Sequence, residues 1–271
     1  HQWWAHQVIG ANVQGATVLS ESLSEYSSLK VLEHQYGKGQ MRKFLKEALD
    51  SYLQGRAFES KKEQPLMFNE NQQYIHYNKG SLVLYALSDY IGEAKFNAAL
   101  KSFIQKKAYQ EAPYTTAVEF VEEIDSITPD SLKYLINDMF REITTYSNSL
   151  ENAKVEDLKN GKYRVTINFS VTKQYADGNG KERFTNKAGK SITGTVRGKK
   201  VTSAPLADYI ELGIFGKDKT QKEKALYLKK VKVDKISNTV SIIVNEKPTE
   251  VGIDPYNKLI DVNSTDNRKG L

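Results

Sequence analysis

Two side chains near the beginning of the sequence, the imidazole of His1 and the carboxylate of Glu21, are of types that bind zinc in proteins. His1 opens the string His1-Gln2-Trp3-Trp4, whose aromatic pair would pack a metal-bearing segment into a core. Glu21 lies on a segment with helical periodicity. Each residue alone has a simpler explanation, His1 as a terminal accident and Glu21 as a solvated helix residue. Their combination at this spacing favours zinc ligation by both.

Tyr77 is the third candidate, in the string His76-Tyr77-Asn78-Lys79-Gly80 that opens an apolar helix. A tyrosine beside a zinc site can donate a hydrogen bond to the oxyanion of a tetrahedral intermediate, and donors of this kind contribute about 2–4 kcal/mol of transition-state stabilisation. The alternative is a tyrosine that packs on the core at the start of a helix, which is the commoner role among the 16 tyrosines of the chain. We take Tyr77 as the candidate catalytic residue.

Together, the strings His1-Gln2-Trp3-Trp4, Ser20-Glu21-Ser22 and Tyr77-Asn78-Lys79-Gly80 resemble peptidase family M1, the aminopeptidase N and leukotriene hydrolase type of gluzincin. The pattern of that family is His-Glu-x-x-His, then Asn-Glu-Gly, then Tyr-Glu-Lys-Gly. The resemblance implies that His1 is the second zinc histidine, Glu21 the third ligand and Tyr77 the oxyanion-stabilising tyrosine. It further implies a zinc metallopeptidase, a hydrolase that removes N-terminal residues from a peptide substrate.

The first zinc histidine and the general-base glutamate of this pattern would precede His1, so we expect the chain to be the C-terminal portion of such an aminopeptidase. Catalytic zinc normally has three protein ligands and a water, so we expect this fragment to hold zinc weakly and to be inactive. We also expect truncation to expose apolar surface around Trp3 and Trp4. The expected consequence is a rearranged first stretch, or a dimer that covers this surface.

The sequence departs from the family pattern in several places. Nineteen residues separate His1 from Glu21, one more than is usual in the family. Asn78 stands where glutamate is usual and Ser22 where glycine is usual, and the Gly-x-Met-x-Asn segment that helps bind the free amine of the substrate is absent from the 271 residues. His6 is an additional histidine, but on a helix it would point about 140° away from His1, a poor position for sharing the ion.

A closer resemblance is to the peptidase-like domains at the C-terminal end of large bacterial ABC-transporter permeases. It is carried by Ala5-His6-Gln7-Val8, Leu19-Ser20-Glu21-Ser22-Leu23 and Gly252-Ile253-Asp254-Pro255-Tyr256-Asn257-Lys258. This resemblance implies a membrane-embedded parent protein of which the chain is a soluble domain, on a side of the membrane that stays open. It also raises an alternative function, a non-catalytic binding or coupling domain of the transporter.

The composition is that of an ordinary soluble globular protein, with 39% hydrophobic and 27% charged residues. No apolar run approaches the roughly 20 residues that cross a bilayer, and the absence of cysteine excludes disulfides. The net charge is −3 over residues 1–150 and +9 over the remainder, which would suit nucleic acid or an anionic membrane surface. Because the lysines of the basic half are scattered and no nucleic-acid motif accompanies them, we predict a solvated β-domain surface and no nucleic-acid partner.

The hydrophobic pattern predicts an α+β fold, with helices first and strands second. A period near 3.6 residues predicts helices at 17–35, 39–54, 74–91, 93–108 and 117–127, and a further helix from Pro129 through Phe140. Alternation from about residue 150 predicts strands that include 163–171, 191–197, 207–214, 225–233 and 239–245, with a turn at Asp177-Gly178-Asn179-Gly180. We therefore predict a helical peptidase lobe over 1–149 and an immunoglobulin-like antiparallel β-sandwich over 150–271, with the boundary near 147–152.

Overall fold

The computed structural model describes residues 1–4, 7–180, 182–185, 191–192 and 204–271. Helices come first along the chain and two antiparallel sheets follow, which confirms the predicted α+β class. The residues form two compact units. The helical unit comprises His1–Thr144, Ala176–Lys181 and Lys258–Ile260, and the β unit comprises Thr145–Tyr175, Glu182–Asn257 and Asp261–Leu271.

In the described part of the helical unit there are six α-helices, and each predicted helix is present within a few residues of its expected ends. They are α1 Leu23–Tyr36, α2 Met41–Phe58, α3 Gly80–Ile91, α4 Glu93–Lys107, α5 Ala117–Ile127 and α6 Lys133–Ile136. π-Helical stretches lie at Val18–Ser22 before α1, at Tyr74–Lys79 before α3 and at Asn137–Arg141 after α6. Short 3₁₀ turns lie at Lys38–Gln40, Leu66–Phe68 and Asp130–Leu132. The helix predicted from Pro129 is therefore three short consecutive pieces of 3₁₀, α and π geometry.

Local signals in the sequence set several helix ends. Thr116 caps α5, since its hydroxyl accepts the backbone N–H of Glu119 while the carboxylate of Glu119 accepts the backbone N–H of Thr116. Gly92 separates α3 from α4 with φ of 101°, a conformation that glycine adopts without steric cost. The helical boundaries thus follow from capping chemistry as well as from the apolar period.

The core of the helical unit lies around α3. Every residue from Gly80 to Ser88 is buried, as expected of a helix surrounded by others rather than lying on a surface. The neighbouring helices bury one stripe each, with Leu23, Tyr26 and Leu29 on α1, Leu45, Leu49 and Tyr52 on α2, Phe96 and Phe103 on α4, and Phe120 and Ile124 on α5. Full burial of each large apolar side chain contributes about 1.5–3 kcal/mol. Hydrophobic packing around α3 therefore holds the scaffold of the helical unit.

Among the residues that the structure describes, nine strands form the two sheets. They are β1 Ile143–Asp157, β2 Tyr163–Ala176, β3 Glu182–Thr185, β4 Ser191–Ile192, β5 Asp208–Lys217, β6 Glu223–Val233, β7 Ser237–Val244, β8 Glu250–Ile253 and β9 Arg268–Gly270. One sheet has the order β1-β2-β3-β4, with β7 also paired to β2, and the other has the order β6-β5-β8-β9. Val165, Ile167, Phe169 and Val171 are buried on β2 as their alternation predicts.

The structure differs from the sequence prediction at β1, β3, β8 and β9, which lie outside the predicted strands. β1 runs from Ile143 to Asp157, through the segment in which we expected a domain boundary. Its buried first half is mostly polar, so hydrophobic alternation did not reveal it. Of the strand predicted at 191–197, residues 193–197 lie outside the described part of the chain. The domain limits proposed from the sequence stay a prediction.

Among the described residues, none of the helices has both the length and the apolar character that crossing a membrane requires.

Two ion pairs that involve β2 provide a matched test of how burial changes the contribution of an ion pair to the free energy of unfolding. Lys173 donates to both carboxylate oxygens of Asp208 at 2.9 and 3.0 Å, and both side chains are 2% exposed. Arg164 pairs with Glu156 at 2.6 Å, with the side chains 44% and 61% exposed.

We predict that Lys173→Met lowers the free energy of unfolding by about 3–5 kcal/mol, because it removes a cation that pairs with the buried carboxylate of Asp208. Arg164→Met should cost less than about 1 kcal/mol, since water solvates both partners of that pair. Urea unfolding of the two variants measures the difference. Equal losses would contradict the assignment of Lys173 as the buried, paired cation of this sheet.

Candidate active site

The two segments that carry Glu21 and Tyr77 are both π-helical. Val18–Ser22 contains Glu21 and leads directly into α1, and Tyr74–Lys79 contains Tyr77 and leads directly into α3. Hydrogen bonds of the π type are rare, and where they occur in helices they are frequent at functional sites. The sequence predicted regular helix here, so the wider winding of both segments is a finding of the structure.

A close approach docks these two segments against each other. The hydroxyl of Ser22 donates a hydrogen bond of 2.6 Å to the backbone carbonyl of His76. A Cβ atom at position 80 would overlap the side chain of Ser22, so only glycine fits at Gly80. Because Ser22 follows Glu21 and His76 precedes Tyr77, this contact brings the two candidate residues together.

The carboxylate of Glu21 lies beside the imidazole of His1. Nε2 of His1 is 3.2 Å from Oε2 of Glu21, and the side chains are 40% and 18% exposed, respectively. This Oε2 atom is buried, and no described residue donates an aligned hydrogen bond to it. The structure thus places His1 and Glu21 together and leaves an acceptor oxygen of Glu21 without an aligned donor.

The phenol of Tyr77 interacts with the same carboxylate. The hydrogen bond that it donates to Glu21, together with burial and the negative charges of Glu21 and Glu25, raises the pKa of Tyr77 to about 12. A donor to a carboxylate is stabilised in its protonated form, which accounts for the direction of the shift. His1 and Tyr77, the other two residues that the sequence singled out, therefore both lie beside the carboxylate of Glu21. Whether they act as ligands and catalytic residue stays a prediction at this point.

His76 and Asn69 form a buried pair behind Tyr77 that sequence analysis missed. Nδ2 of Asn69 lies 3.0 Å from Nδ1 of His76 and 3.0 Å from the hydroxyl of Thr17. Because an amide nitrogen only donates, Nδ1 of His76 accepts and the ring proton belongs on Nε2. Burial lowers the pKa of His76 although the charge of Glu21 opposes the shift, and the ring packs edge-on against Tyr77 at 4.8 Å. His76 directly precedes Tyr77, which was the available sequence signal.

The donor set fits part of a zinc site. In a tetrahedral site with bonds of about 2.0–2.2 Å, neighbouring ligand atoms lie roughly 3.3–3.5 Å apart. The 3.2 Å between Nε2 of His1 and Oε2 of Glu21 is close to that separation. In the described part of the chain, no three His, Cys, Asp or Glu side chains form a group that could hold a metal ion. His6, the additional histidine, lies outside the described residues. His1 and Glu21 therefore fit two positions of a zinc site and not a whole one.

An apolar groove of about 710 Å³ lies beside the same residues. His1, Trp3, Trp4, Val31 and Leu32 line it, together with serines of α1. Nε1 of Trp4 donates to Ser27 at 3.2 Å and Trp4 is buried, whereas Trp3 is 67% exposed. Such an exposed aromatic side chain in an apolar groove is typical of a binding surface. The dimer expected through this surface stays a prediction.

Glu21→Gln should lower the pKa of Tyr77 from about 12 toward the ordinary tyrosine value near 10, because the amide removes the charge and weakens the acceptor. The measurement is a pH titration of the Tyr77 ring signal by NMR, with Tyr77→Phe to assign the signal. Glu25→Gln serves as the control, since Glu25 contributes the smallest of the effects on Tyr77. An unchanged pKa in Glu21→Gln would contradict the hydrogen bond.

Comparison with known protein families agrees with these observations. The family model of the peptidase family M1 domain matches residues 1–142, a segment that contains His1, Glu21 and Tyr77. No curated protein matches the chain. The matched segment is just over half of the 271 residues. The chain therefore belongs to peptidase family M1, whose members are in general zinc metallopeptidases.

Proposed function

We propose that the chain supplies His1, Glu21 and Tyr77 to the active site of a zinc-dependent aminopeptidase of the M1 type. The observation that carries the proposal is the convergence of the three residues on one carboxylate. Nε2 of His1 lies 3.2 Å from Oε2 of Glu21. Tyr77, 56 positions further along the chain, lies close enough to the same carboxylate for Glu21 to raise its pKa. Membership of the M1 family supports a peptidase function for this arrangement.

His1 and Glu21 would hold the zinc ion in this proposal. Zinc in such a site polarises the scissile carbonyl and activates water. The buried Oε2 of Glu21 suits a ligand role, because an anionic oxygen without an aligned donor gains from a cation nearby. The third ligand and the general base belong to the His-Glu-x-x pattern that the family places before the residue equivalent to His1.

Tyr77 would steady the oxyanion that forms on the substrate carbonyl. Its phenol keeps its proton far above neutral pH, so it is a hydrogen-bond donor under physiological conditions. The proton that it now shares with Glu21 is available to an oxyanion once the charge of Glu21 is satisfied by a cation. Donors of this kind contribute about 2–4 kcal/mol to transition-state stabilisation.

The apolar groove beside His1 has a different role in this proposal. Trp3, Trp4, Val31 and Leu32 line it, together with serines of α1. It is the apolar surface that we expect truncation to expose, so in the complete peptidase lobe the groove is where upstream residues pack.

We predict that residues 1–271 alone bind zinc weakly and hydrolyse no aminoacyl anilide, because two protein ligands do not make a catalytic zinc site. Isothermal titration with zinc and an anilide assay check this directly. Measurable turnover by the 271 residues would contradict the proposal that the third zinc ligand and the general base lie outside them.

In a chain extended N-terminally through the complete peptidase lobe, we predict zinc-dependent aminopeptidase activity. Tyr77→Phe should lower kcat by about 10²–10³, the effect of removing one oxyanion donor. Glu21→Ala should lower both zinc affinity and activity. Tyr109→Phe, an exposed tyrosine, and Glu122→Ala, an exposed carboxylate on α5, are the matched controls and should leave the rate unchanged.

Two outcomes decide between the two functions. Activity that both site variants abolish supports the aminopeptidase. A folded, extended protein without activity supports the alternative, a peptidase fold that serves as a binding or coupling domain of a membrane-embedded ABC-transporter permease.

A further inference from the structure

Three buried polar side chains and the half-buried Arg56 meet in the helical unit, and we call them the Glu63 cluster: Glu63, Lys79, Tyr52 and Arg56. The carboxylate of Glu63 accepts from Lys79 at 2.9 Å, from Tyr52 at 2.7 Å and from Arg56 at 2.9 Å. Lys79 is 1% exposed and Tyr52 is completely buried. Burial alone would raise the pKa of Glu63, but the charges of Lys79 and Arg56 hold it below its ordinary value. The carboxylate of Glu63 is therefore ionised at neutral pH.

The cluster holds both ends of the π-helical stretch that carries Tyr77. Lys79 is the last residue of Tyr74–Lys79 and lies two positions after Tyr77. Tyr74 is the first residue of that stretch, and its ring stacks on Tyr52 at 5.9 Å. A Cβ atom at Gly55 would clash with the ring of Tyr74, so α2 approaches this end closely. Tyr52, Gly55 and Arg56 all lie on α2, which is thus the common support.

Tyr77 itself has little packing to fix it. Its side chain is only partly buried, and its ring contact is with the neighbouring His76. A π-helical turn is less favourable than a regular α-helical one, so contacts outside the turn must stabilise it. The direction of the phenol toward Glu21 consequently depends on how the two ends of the stretch are held.

We propose that Glu63 is a positioning residue for Tyr77, acting through Lys79 to hold the π-helical turn in the register that directs the phenol to Glu21. The proposal rests on the role of Tyr77 in the proposed function and adds a residue that lies outside the three family motifs. No hydrogen bond or ion pair among the described residues joins Glu63 to His1, Glu21 or Tyr77, so its influence on the reaction passes through Lys79 and the backbone of the turn.

The loop that carries Glu63 has a support of its own. The backbone N–H of Glu63 donates to the carbonyl of Gly178 at 2.8 Å, and a Cβ atom at Gly178 would lie 2.8 Å from the carbonyl oxygen of Glu63. Gly178→Ala therefore displaces Glu63 slightly while it keeps every charge of the cluster. Gly39→Ala is the matched control, because nothing lies within 4 Å of a Cβ atom at position 39.

The test uses the 271-residue chain with tyrosine labelled at Cζ, whose carbon chemical shift reports the hydrogen bond of the phenol. Tyr77→Phe identifies the signal, and Glu21→Gln gives its position when the acceptor is weakened. In Glu63→Gln and Lys79→Met, the signal of the folded protein should move toward its position in Glu21→Gln. Gly178→Ala should move it in the same direction by less, and Gly39→Ala should leave it in place.

A purely structural role of the cluster gives a different result. Phe103→Leu destabilises the same unit through the core contact of Phe103 with Phe120, away from the cluster, and should leave the Tyr77 signal unchanged. A Tyr77 signal that stays at the wild-type position in the folded cluster variants overturns the proposal. If Glu63→Gln does not fold, Lys79→Met and Gly178→Ala decide by the same criterion.

The readout needs neither zinc nor peptide. A stationary signal therefore refutes the positioning role and leaves the aminopeptidase proposal standing. An extended chain without activity refutes the aminopeptidase proposal and leaves the positioning result intact.

Discussion

The contact between Ser22 and Gly80 is the constraint on which the candidate site depends. The Ser22 hydroxyl donates to the carbonyl of His76, and the missing side chain of Gly80 leaves room for that hydroxyl. Glu21 and Tyr77 are adjacent in sequence to the residues that make these contacts. The distance between their side chains is therefore set by how the two π-helical stretches pack against each other. Glycine is usual in this family at the position of Ser22, and here the serine fills the space with a hydrogen bond.

The carboxylate of Glu21 has an oxygen atom that no described residue satisfies with an aligned hydrogen bond. Its Oε2 atom is buried without an aligned donor from the described residues, and its surroundings include a tyrosine whose pKa it raises. A buried acceptor in this state costs free energy unless a cation or donor reaches it. Among the described residues, His1 at 3.2 Å and Tyr77 are the neighbours that share that task. This unsatisfied oxygen of Glu21 would favour the binding of a metal ion. A metal ion there would in turn release the phenol of Tyr77 to donate to an oxyanion of the substrate.

The sequence predicted the helices well because their apolar stripes and caps act locally. The 3.6-residue period of α2 and the capping box of Thr116 with Glu119 are visible without any tertiary information. β1 escaped prediction because its buried first half carries Thr144, Thr145 and Asn148, and polar residues at buried positions carry no periodic signal. Their burial is decided by the sheet rather than by their own hydrophobicity.

The candidate site was predictable for a related reason. His1, Glu21 and Tyr77 stand in strings specific enough to suggest their roles one by one, and the structure brings them together. His76, Asn69 and Glu63 were not predictable, because each is a common polar residue whose importance comes from burial and from partners distant in sequence. Sequence motifs identify the side chains that contact a ligand. The residues that support those side chains are identified only from their positions in the folded structure.

That distinction explains why a buried charge cluster serves this position better than apolar packing. A buried ion pair is a weak source of stability, since desolvation offsets most of its attraction. Apolar contact is stronger in total but has no preferred direction, so a packed helix can slide or rotate at small cost. The carboxylate of Glu63 accepts from Lys79 of the π-helical stretch and from Tyr52 and Arg56 of α2, and each hydrogen bond restricts both distance and angle. Three directed contacts to one carboxylate therefore fix the position of the turn that carries Tyr77, and α3 alone, packed through apolar side chains, would leave that position variable.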